Sequence, residues 1–288
     1  MTGQIRPLRS ALYLPANRAS AVAKARQADC DAVILDLEDA VAPEAKGEAR
    51  EAAIAAVREG GFGHRMLVVR VNAIDSEWGA KDIAALSQCR PDAVLVPKLC
   101  HADEANAYRQ ELGEGPELWA MLETCIAFTQ LGAISAKAAG SKLTTFVLGT
   151  NDLALEMRAK LDTARAPFLP LLTQAVISAR AHGLSVLDGV FNDIADEGGL
   201  EQQCRQGADM GFDGKTLIHP KQLSICNAAF NPSEQEVDRA KAIVAAFDLP
   251  ENAGKGVIKV DGRMTEILHL REAERTLALH QATQRLGT

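Results

Sequence analysis

The stretch Val33-Ile34-Leu35-Asp36-Leu37-Glu38-Asp39 joins a run of apolar residues directly to three carboxylates. Short apolar runs of this kind are typical of strands that are buried on both faces of a parallel sheet. In an eight-stranded parallel barrel, the carboxyl ends of all strands meet on one face. Three more apolar runs end in a similar way: Leu67-Val68-Val69 leads into Arg70, Trp119-Ala120-Met121-Leu122 into Glu123, and Phe146-Val147-Leu148 into Gly149-Thr150-Asn151-Asp152. Together they predict a pocket with several carboxylates and one guanidinium, which suits a divalent cation and an anionic substrate.

The rest of the chain alternates between strand-length apolar runs and helix-length amphipathic segments. Strands are predicted near Ala11–Pro15, Ala32–Leu37, Met66–Val71, Ala93–Pro97, Leu118–Leu122, Thr144–Leu148, Leu184–Leu187 and Thr216–Ile218. Helices are predicted at Arg18–Ala28, Pro43–Glu59, Gly79–Ser87, Ala102–Leu112, Thr129–Ala139, Pro167–His182, Ile194–Met210 and Pro220–Ala229. This pattern predicts a TIM (β/α)8 barrel. A doubly wound open sheet is the alternative, and it is disfavoured because no Gly-x-Gly-x-x-Gly turn follows the first strand.

The alternation stops after Phe230, so we predict a barrel domain over residues 1–230 and a C-terminal arm over residues 231–288. In the arm, Ser233 and Glu236 form a capping-box pattern at the start of a helix that runs to Asp248. A short strand at Val257–Val260, a turn at Asp261-Gly262 and a last helix through Leu286 follow. We expect this arm to pack on the barrel mouth or on a neighbouring subunit.

Composition excludes several classes of function. The 288 residues match one barrel of about 250 residues with an appendage. A net charge of −7 disfavours binding to nucleic acid or to an anionic membrane surface. The chain contains no apolar run of membrane-spanning length, and its first residues lack the apolar core of a signal peptide, so a cytoplasmic protein is predicted.

The six cysteines show neither C-x-x-C pairs nor alternating Cys/His spacing, so the sequence indicates no zinc site and no disulfide framework. Cys125 follows Glu123 by two residues and is the one thiol near the predicted pocket. A buried core thiol is the more common reading of such a cysteine than a nucleophile.

Glu123 and Asp152 follow neighbouring strands and are the candidate metal ligands. Magnesium takes six oxygen ligands and keeps several waters, so one or two carboxylates and a chelating substrate suffice. The alternative is that each carboxylate forms a salt bridge or caps a helix, because Asp is favoured at helix starts.

Arg70 ends the third strand in an apolar environment, where a charge needs a partner. Its planar guanidinium suits bidentate binding of a substrate carboxylate. The alternative is an internal ion pair with Asp36 or Glu38. Because side chains alternate along a strand, we expect Asp36 and Glu38 to point inward and to orient Arg70 or metal-bound water.

Seven motifs resemble, in order and over nearly the whole chain, the citrate lyase beta subunit family of the aldolase/citrate lyase superfamily, which includes malyl-CoA and citramalyl-CoA lyases. They are Arg9-Ser10-Ala11-Leu12-Tyr13-Leu14-Pro15, Asp36-Leu37-Glu38-Asp39-Ala40-Val41 with Lys46 and Arg50, Arg70-Val71-Asn72, Val96-Pro97-Lys98, Glu123-Thr124, Gly149-Thr150-Asn151-Asp152-Leu153, and Gly211-Phe212-Asp213-Gly214-Lys215 leading to Ile218-His219-Pro220.

The resemblance implies a magnesium-dependent barrel enzyme, trimeric or hexameric, that cleaves or forms a carbon–carbon bond between a 2-oxo acid and an acyl-CoA. It implies the following roles: Glu123 and Asp152 bind Mg²⁺, Glu123 and Arg70 contact substrate, Asp36 and Glu38 support catalysis beside them, and Arg9 and Lys24 meet the coenzyme A phosphates.

Glu266, in Gly262-Arg263-Met264-Thr265-Glu266, resembles the catalytic carboxylate that the long arm of such lyases places in a neighbouring subunit. The family usually has Asp there, and the alternative is an ordinary first-turn Glu favoured by the helix dipole. Two further departures are Ala16, where Gly is common, and Cys125-Ile126-Ala127, which differs from the usual Ala-Arg-Gly.

The leading hypothesis is therefore a lyase that acts on a 3-hydroxyacyl-CoA such as malyl-CoA or citramalyl-CoA. A second hypothesis is a 2-oxo acid aldolase that needs no coenzyme A. A third is a beta-type subunit of a citrate lyase complex that works with an acyl-carrier partner, which the long arm disfavours.

Overall fold

The computed structural model describes residues 6–286, which form two compact units. The larger unit runs from Leu8 to Ala228, and the smaller one comprises the described residues before Leu8 and from Ala229 onward. None of the helices in residues 6–286 combines the length and the apolar character needed to cross a bilayer.

The larger unit is a closed barrel of eight parallel strands in sequential order, with the first strand paired to both the second and the eighth. This confirms the predicted TIM barrel and rules out the open sheet. The strands are β1 (Ser10–Pro15), β2 (Ala32–Asp36), β3 (Met66–Arg70), β4 (Ala93–Val96), β5 (Glu117–Leu122), β6 (Leu143–Leu148), β7 (Ser185–Asp188) and β8 (Gly214–Leu217).

The barrel interior is a single apolar cluster. Seven of the eight strands contribute to it through alternate residues, such as Ile34 of β2, Val68 of β3 and Trp119 of β5, which are fully buried. Because side chains alternate between the two faces of a strand, the residues two positions further along, Asp36 and Arg70, also face the interior at its carboxyl end. The same pattern that fills the core therefore supplies the charged end of the barrel.

Ten helices lie in the larger unit or reach its boundary. They are α1 (Ala19–Ala25), α2 (Lys46–Glu59), α3 (Gly79–Cys89), α4 (Ala102–Leu112), α5 (Cys125–Ala136), α6 (Ala138–Ser141), α7 (Thr150–Met157), α8 (Leu169–Ala181), α9 (Glu197–Met210) and α10 (Leu223–Ala229). The helix α7 was not predicted from the sequence, because the segment after β6 is short and its polar Gly-Thr-Asn-Asp start is equally typical of a loop.

A buried ion network joins β7 and β8 to Arg165, which lies in the segment between α7 and α8. Asp188, at the end of β7, accepts hydrogen bonds from Arg165 at 2.7 and 2.8 Å and from Lys215 of β8 at 2.9 Å. All three side chains are at most 1% exposed. Removing one member would leave an uncompensated buried charge, so the network is a structural element of the barrel.

The smaller unit contains α11 (Glu234–Phe247), a two-stranded antiparallel hairpin of β9 (Val257–Val260) and β10 (Arg263–Glu266), and α12 (Ile267–Leu286). Ser233 and Glu236 form the predicted capping box at the start of α11. Ala240, Ile243 and Ala273 form a small core between the two helices. The sequence analysis missed β10, although the Asp261-Gly262 turn, with φ of +45° and +79°, is typical of a two-residue hairpin.

Gly214 of β8 packs directly against the backbone before β1. A Cβ atom at this position would lie 1.8 Å from the Leu8 carbonyl oxygen and 2.5 Å from that of Arg9, so the backbone would have to move. We predict that Gly214→Ala lowers the free energy of unfolding by about 2 to 3 kcal/mol, the usual cost of overpacking. Urea unfolding measures this loss.

Gly132→Ala is the matched control. Gly132 lies inside α5 with no atom within 4 Å of a built Cβ. Because glycine disfavours helix interiors, this change should stabilise the protein by about 0.5 to 1 kcal/mol. Equal unfolding midpoints for the two variants would contradict the close contact at Gly214.

Candidate active site

A cavity of about 290 Å³ opens at the carboxyl ends of the barrel strands. Its wall includes Tyr13 from β1, Asp36 from β2, Arg70 from β3, Met121 from β5 and Asp152 from the first turn of α7. The structure thus brings together three of the residues that the sequence analysis singled out. It also confirms that the charged strand ends meet on one face.

Arg70 forms an internal ion pair with Asp36, which lies directly opposite it in the β2–β3 register. Its Nε and Nη2 donate to the two Asp36 carboxylate oxygens at 2.7 and 2.6 Å. Burial acts to raise the pKa of Asp36, but the hydrogen bonds and charge of Arg70 hold it below its usual value. The internal ion pair with Asp36, which the sequence left open as an alternative to substrate binding, is therefore present. Asp36 also orients the guanidinium.

The remaining nitrogen of Arg70, Nη1, meets two further carboxylates. It lies 2.9 Å from Glu38 Oε2 and 3.2 Å from Asp39 Oδ2. Asp39 is mostly exposed and lines the cavity, whereas Glu38 is buried. Nη1 is therefore the one guanidinium nitrogen of Arg70 that does not bind Asp36.

The loop after β2 is held in place by the buried Lys46. Its ammonium donates to the carbonyl oxygens of Leu37 and Glu38 at 3.0 and 2.8 Å and to Asn72 Oδ1 at 2.7 Å. The Asp36 carboxylate also accepts the backbone N–H of Glu38 at 2.9 Å. These contacts fix the position of Glu38 beside Arg70.

Glu38 titrates near neutrality. Burial raises its pKa to about 7, with further upward effects from Asp39 and Asp36, while Arg70 opposes the shift. Lys98 Nζ lies 3.9 Å from Glu38 Oε1. A carboxyl group in this state exchanges a proton readily at neutral pH, which is what a general acid or base requires.

Glu123, one residue beyond β5, is 1% exposed and directly contacts the cavity wall at Gly149. Its Oε1 accepts the backbone N–H of Lys98 at 2.7 Å, while its buried Oε2 has no hydrogen-bond partner among the described residues. Burial raises the pKa of Glu123 to about 8, and the neighbouring Glu38 and Asp152 add to that shift. A free carboxylate oxygen in a cluster of negative charge is a position that favours a cation.

The donor set around Glu123 fits magnesium. Residues 6–286 contain no group of three or more His, Cys, Asp or Glu side chains placed to hold a metal ion. Magnesium does not need one, since it binds through one or two carboxylates and fills its octahedron with waters and substrate oxygens. Gly149 leaves room at this point, because a Cβ there would lie 2.6 Å from Glu123 Oε2. Glu123 and Asp152 are therefore the residues that would hold the ion.

Two features of the wall escaped the sequence analysis. Tyr13 stacks on Arg70, with the guanidinium carbon 5.1 Å from the ring centroid, and its buried hydroxyl has no hydrogen-bond partner among the described residues. Asn151 and Asn192 exchange two amide hydrogen bonds across the rim, at 3.2 and 2.8 Å. Alternation from the core residue Ala11 predicts the inward direction of Tyr13, whereas no sequence signal pairs the two asparagines.

Three more predicted site residues are Arg9, Lys24 and Glu266. Arg9 precedes β1, at the amino end of the barrel, and donates to Asp31 through Nε at 3.0 Å and Nη2 at 2.8 Å. Lys24 is exposed in the last turn of α1. Glu266 ends β10 in the smaller unit. The contacts of Arg9 and Lys24 with coenzyme A, and the catalytic role of Glu266, stay predictions.

A closed (β/α)8 barrel with acidic and basic groups gathered at its carboxyl face is an enzyme architecture. The sequence profile of the HpcH/HpaI aldolase/citrate lyase family matches residues 9–220, and the chain belongs to this family.

Known proteins resemble the chain over nearly its full length. The chain is 44% identical to a (3S)-malyl-CoA thioesterase of Cereibacter sphaeroides, over 98% of each chain. It is 29% identical to the mitochondrial citramalyl-CoA lyase of Homo sapiens, over 95% of this chain and 85% of the relative. A crystal structure of CitE from Mycobacterium tuberculosis in complex with magnesium, acetoacetate and coenzyme A superimposes with a TM-score of 0.78 at 29% identity, covering 96% of this chain and 98% of that one.

We predict that the metal-free protein loses stability as pH rises. The pKa of Glu123 is about 8 in the folded state and about 4.3 in an unfolded chain, so the folded protein binds the extra proton between these values. The stability that Glu123 contributes by binding this proton is therefore fully present below pH 4 and is lost between pH 4 and pH 8, by a few kcal/mol. Urea unfolding of chelator-treated protein at several pH values measures the slope.

Glu123→Gln is the control for this prediction, because it keeps the shape of the side chain but cannot ionise. In this variant the free energy of unfolding should fall less steeply with pH than in the original protein. The fall that remains is due to Glu38. Identical slopes would show that Glu123 keeps an ordinary pKa.

Lys98 presents its N–H to Glu123 from a left-handed conformation, with φ of +50°. For a residue other than glycine this conformation costs about 1 to 2 kcal/mol. We predict that the free energy of unfolding of Lys98→Val is about 1 to 2 kcal/mol lower than that of Lys98→Gly. Urea unfolding of the two variants measures this difference. Both variants lose the same ammonium, so the comparison isolates the backbone, and equal midpoints would contradict it.

Proposed function

We propose that this protein is a magnesium-dependent hydrolase of a 3-hydroxyacyl-CoA dicarboxylate, with (3S)-malyl-CoA as the model substrate. The observation that supports this most strongly is the 44% identity, over 98% of both chains, to a (3S)-malyl-CoA thioesterase. The family resemblance of the sequence instead predicts cleavage of a carbon–carbon bond in the same substrate. Hydrolysis of its thioester uses the same binding groups, so the proposal changes the bond that breaks and keeps the site.

The chain's own residues bind and orient the acyl group in this proposal. Glu123 and Asp152 would hold the ion, and Arg70 Nη1 would meet the free carboxylate of the substrate. A bound magnesium ion supplies a Lewis acid that fixes the hydroxy-acid end and polarises its oxygens. Asp36 keeps the guanidinium in one orientation through its two hydrogen bonds at 2.7 and 2.6 Å.

Hydrolysis also needs a group that takes a proton from water. Glu38 fits this role because its pKa of about 7 leaves a large fraction of it ionised at neutral pH. The water oxygen attacks the thioester carbonyl carbon, its proton passes to Glu38, and the carbon–sulfur bond breaks. The sulfur leaves as the coenzyme A thiolate, which takes up a proton to give the free thiol.

Carbon–carbon cleavage is the second candidate function. It is favoured by the 29% identity to citramalyl-CoA lyase over 95% of this chain. In that reaction Glu266 would exchange a proton with the thioester enolate in a homo-oligomer, trimeric or hexameric, whose arm reaches a neighbouring subunit. The two reactions leave different products, so one substrate distinguishes them.

We expect (3S)-malyl-CoA and Mg²⁺ to yield malate and free coenzyme A thiol in equal amounts, with no glyoxylate. A thiol reagent, a glyoxylate assay and chromatography of the CoA esters measure the three products in parallel. Glyoxylate and acetyl-CoA without free thiol would contradict hydrolysis and support the lyase. Turnover of free 2-oxo acids without coenzyme A would instead support an aldolase.

Glu123→Ala should lower kcat/KM by at least about 100-fold, since even groups that only orient a metal ligand are worth about 10- to 100-fold. Glu111→Ala is the control, because Glu111 is exposed in the last turn of α4 and lies outside the cavity wall. Unchanged turnover in Glu123→Ala would contradict the proposed site.

A further inference from the structure

Tyr13 lines the cavity at the carboxyl face of the barrel. It lies in β1 opposite Ile34 of β2, and its ring packs against the apolar cluster inside the barrel. Its other neighbour is Arg70, whose guanidinium carbon is 5.1 Å from the ring centroid. These contacts use the ring alone, and a phenylalanine would make all of them.

The hydroxyl group of Tyr13 is what phenylalanine would lack, and within the described residues it has no hydrogen-bond partner although it is buried. Leaving such a group unpaired costs the folded protein roughly 1 to 3 kcal/mol. Buried polar groups in native proteins almost always have a partner, and an exception calls for a reason. Since Tyr13 lines the cavity, a ligand that fills the cavity can supply the missing partner.

The charges around the hydroxyl indicate which ligand group that is. Burial raises the pKa of Tyr13, Arg70 opposes the shift, and the negative charges of Asp36, Glu123 and Glu38 raise the pKa further. The phenol therefore stays protonated and retains a proton to donate. These three carboxylates would repel a fourth one placed beside the Tyr13 hydroxyl, whereas they do not repel a neutral hydroxyl.

The acyl group of a 3-hydroxyacyl-CoA dicarboxylate carries one neutral hydroxyl, next to its free carboxylate. We propose that the Tyr13 hydroxyl forms a hydrogen bond with this 3-hydroxyl and makes the site selective for hydroxylated over deoxy acyl groups. The inference rests on the proposed function, because it takes its substrate class from there. It assigns a specificity-determining role to Tyr13, because hydrolysis of the thioester does not itself require the 3-hydroxyl.

The test compares Tyr13→Phe with the original protein by calorimetric titration of (S)-malate and of succinate, each with Mg²⁺. The two ligands differ only in the hydroxyl. We expect the variant to bind malate about 2- to 12-fold more weakly, which is the value of one hydrogen bond between neutral groups. Its affinity for succinate should change by less than twofold.

A second measurement separates this role from a structural one. Because Tyr13→Phe removes an unpaired buried hydroxyl, the melting temperature of the ligand-free protein should stay the same or rise by about 1 to 3 °C. A hydroxyl that stabilised the fold would give the opposite result, a lower melting temperature with unchanged malate affinity.

Tyr108, the other tyrosine of the chain, is the matched control. Its buried hydroxyl accepts the backbone N–H of Ile74 at 3.1 Å and lies outside the cavity wall. Tyr108→Phe should therefore lower the melting temperature and leave the ratio of malate to succinate affinity unchanged.

The outcomes also separate this inference from the proposed function. If the original protein binds malate but Tyr13→Phe binds it equally well, or loses malate and succinate affinity to the same extent, the role of Tyr13 is wrong and the hydrolase proposal stands. If the original protein binds neither ligand and leaves malyl-CoA intact, both are overturned.

Discussion

The ion pair between Asp36 and Arg70 is the interaction on which the site depends. The two residues end neighbouring strands in register, and each buries a charge that would be very costly alone. Their two hydrogen bonds hold the guanidinium in a single orientation, under the ring of Tyr13 and beside Glu38. Because β2 and β3 are also central to the apolar barrel interior, the geometry of the charged end follows from the packing of the core beneath it.

Negative charge at the carboxyl face exceeds positive charge, and this imbalance explains the chemistry of the site. Glu38 and Glu123 respond by holding protons, with pKa values of about 7 and 8. A divalent cation bound there would relieve the same imbalance and displace those protons. The energetic cost of the ligand-free site would therefore favour the binding of a cation at this face.

Hydrolysis and carbon–carbon cleavage require nearly the same binding groups from this barrel. In the proposed function, Arg70 and a metal ion held by Glu123 and Asp152 would fix the hydroxy-acid end of the CoA thioester in both reactions. The reactions would differ in where a proton moves, at water near Glu38 or at the thioester enolate with help from Glu266. A family that includes both kinds of relative is consistent with a shared binding site and a small change in proton transfer.

The sequence by itself determined the barrel, its strand order and the residues at its charged face, because hydrophobic periodicity and strand-end charges are local patterns. It also placed Asp36, Arg70 and Asp152 in one pocket, since parallel strands end on the same side. Only the tertiary structure decided that two nitrogens of Arg70 donate to Asp36, that one oxygen of Glu123 has no hydrogen-bond partner, and that the hydroxyl of Tyr13 is unpaired. These features depend on distances between strands far apart in sequence and on burial, which local patterns do not contain.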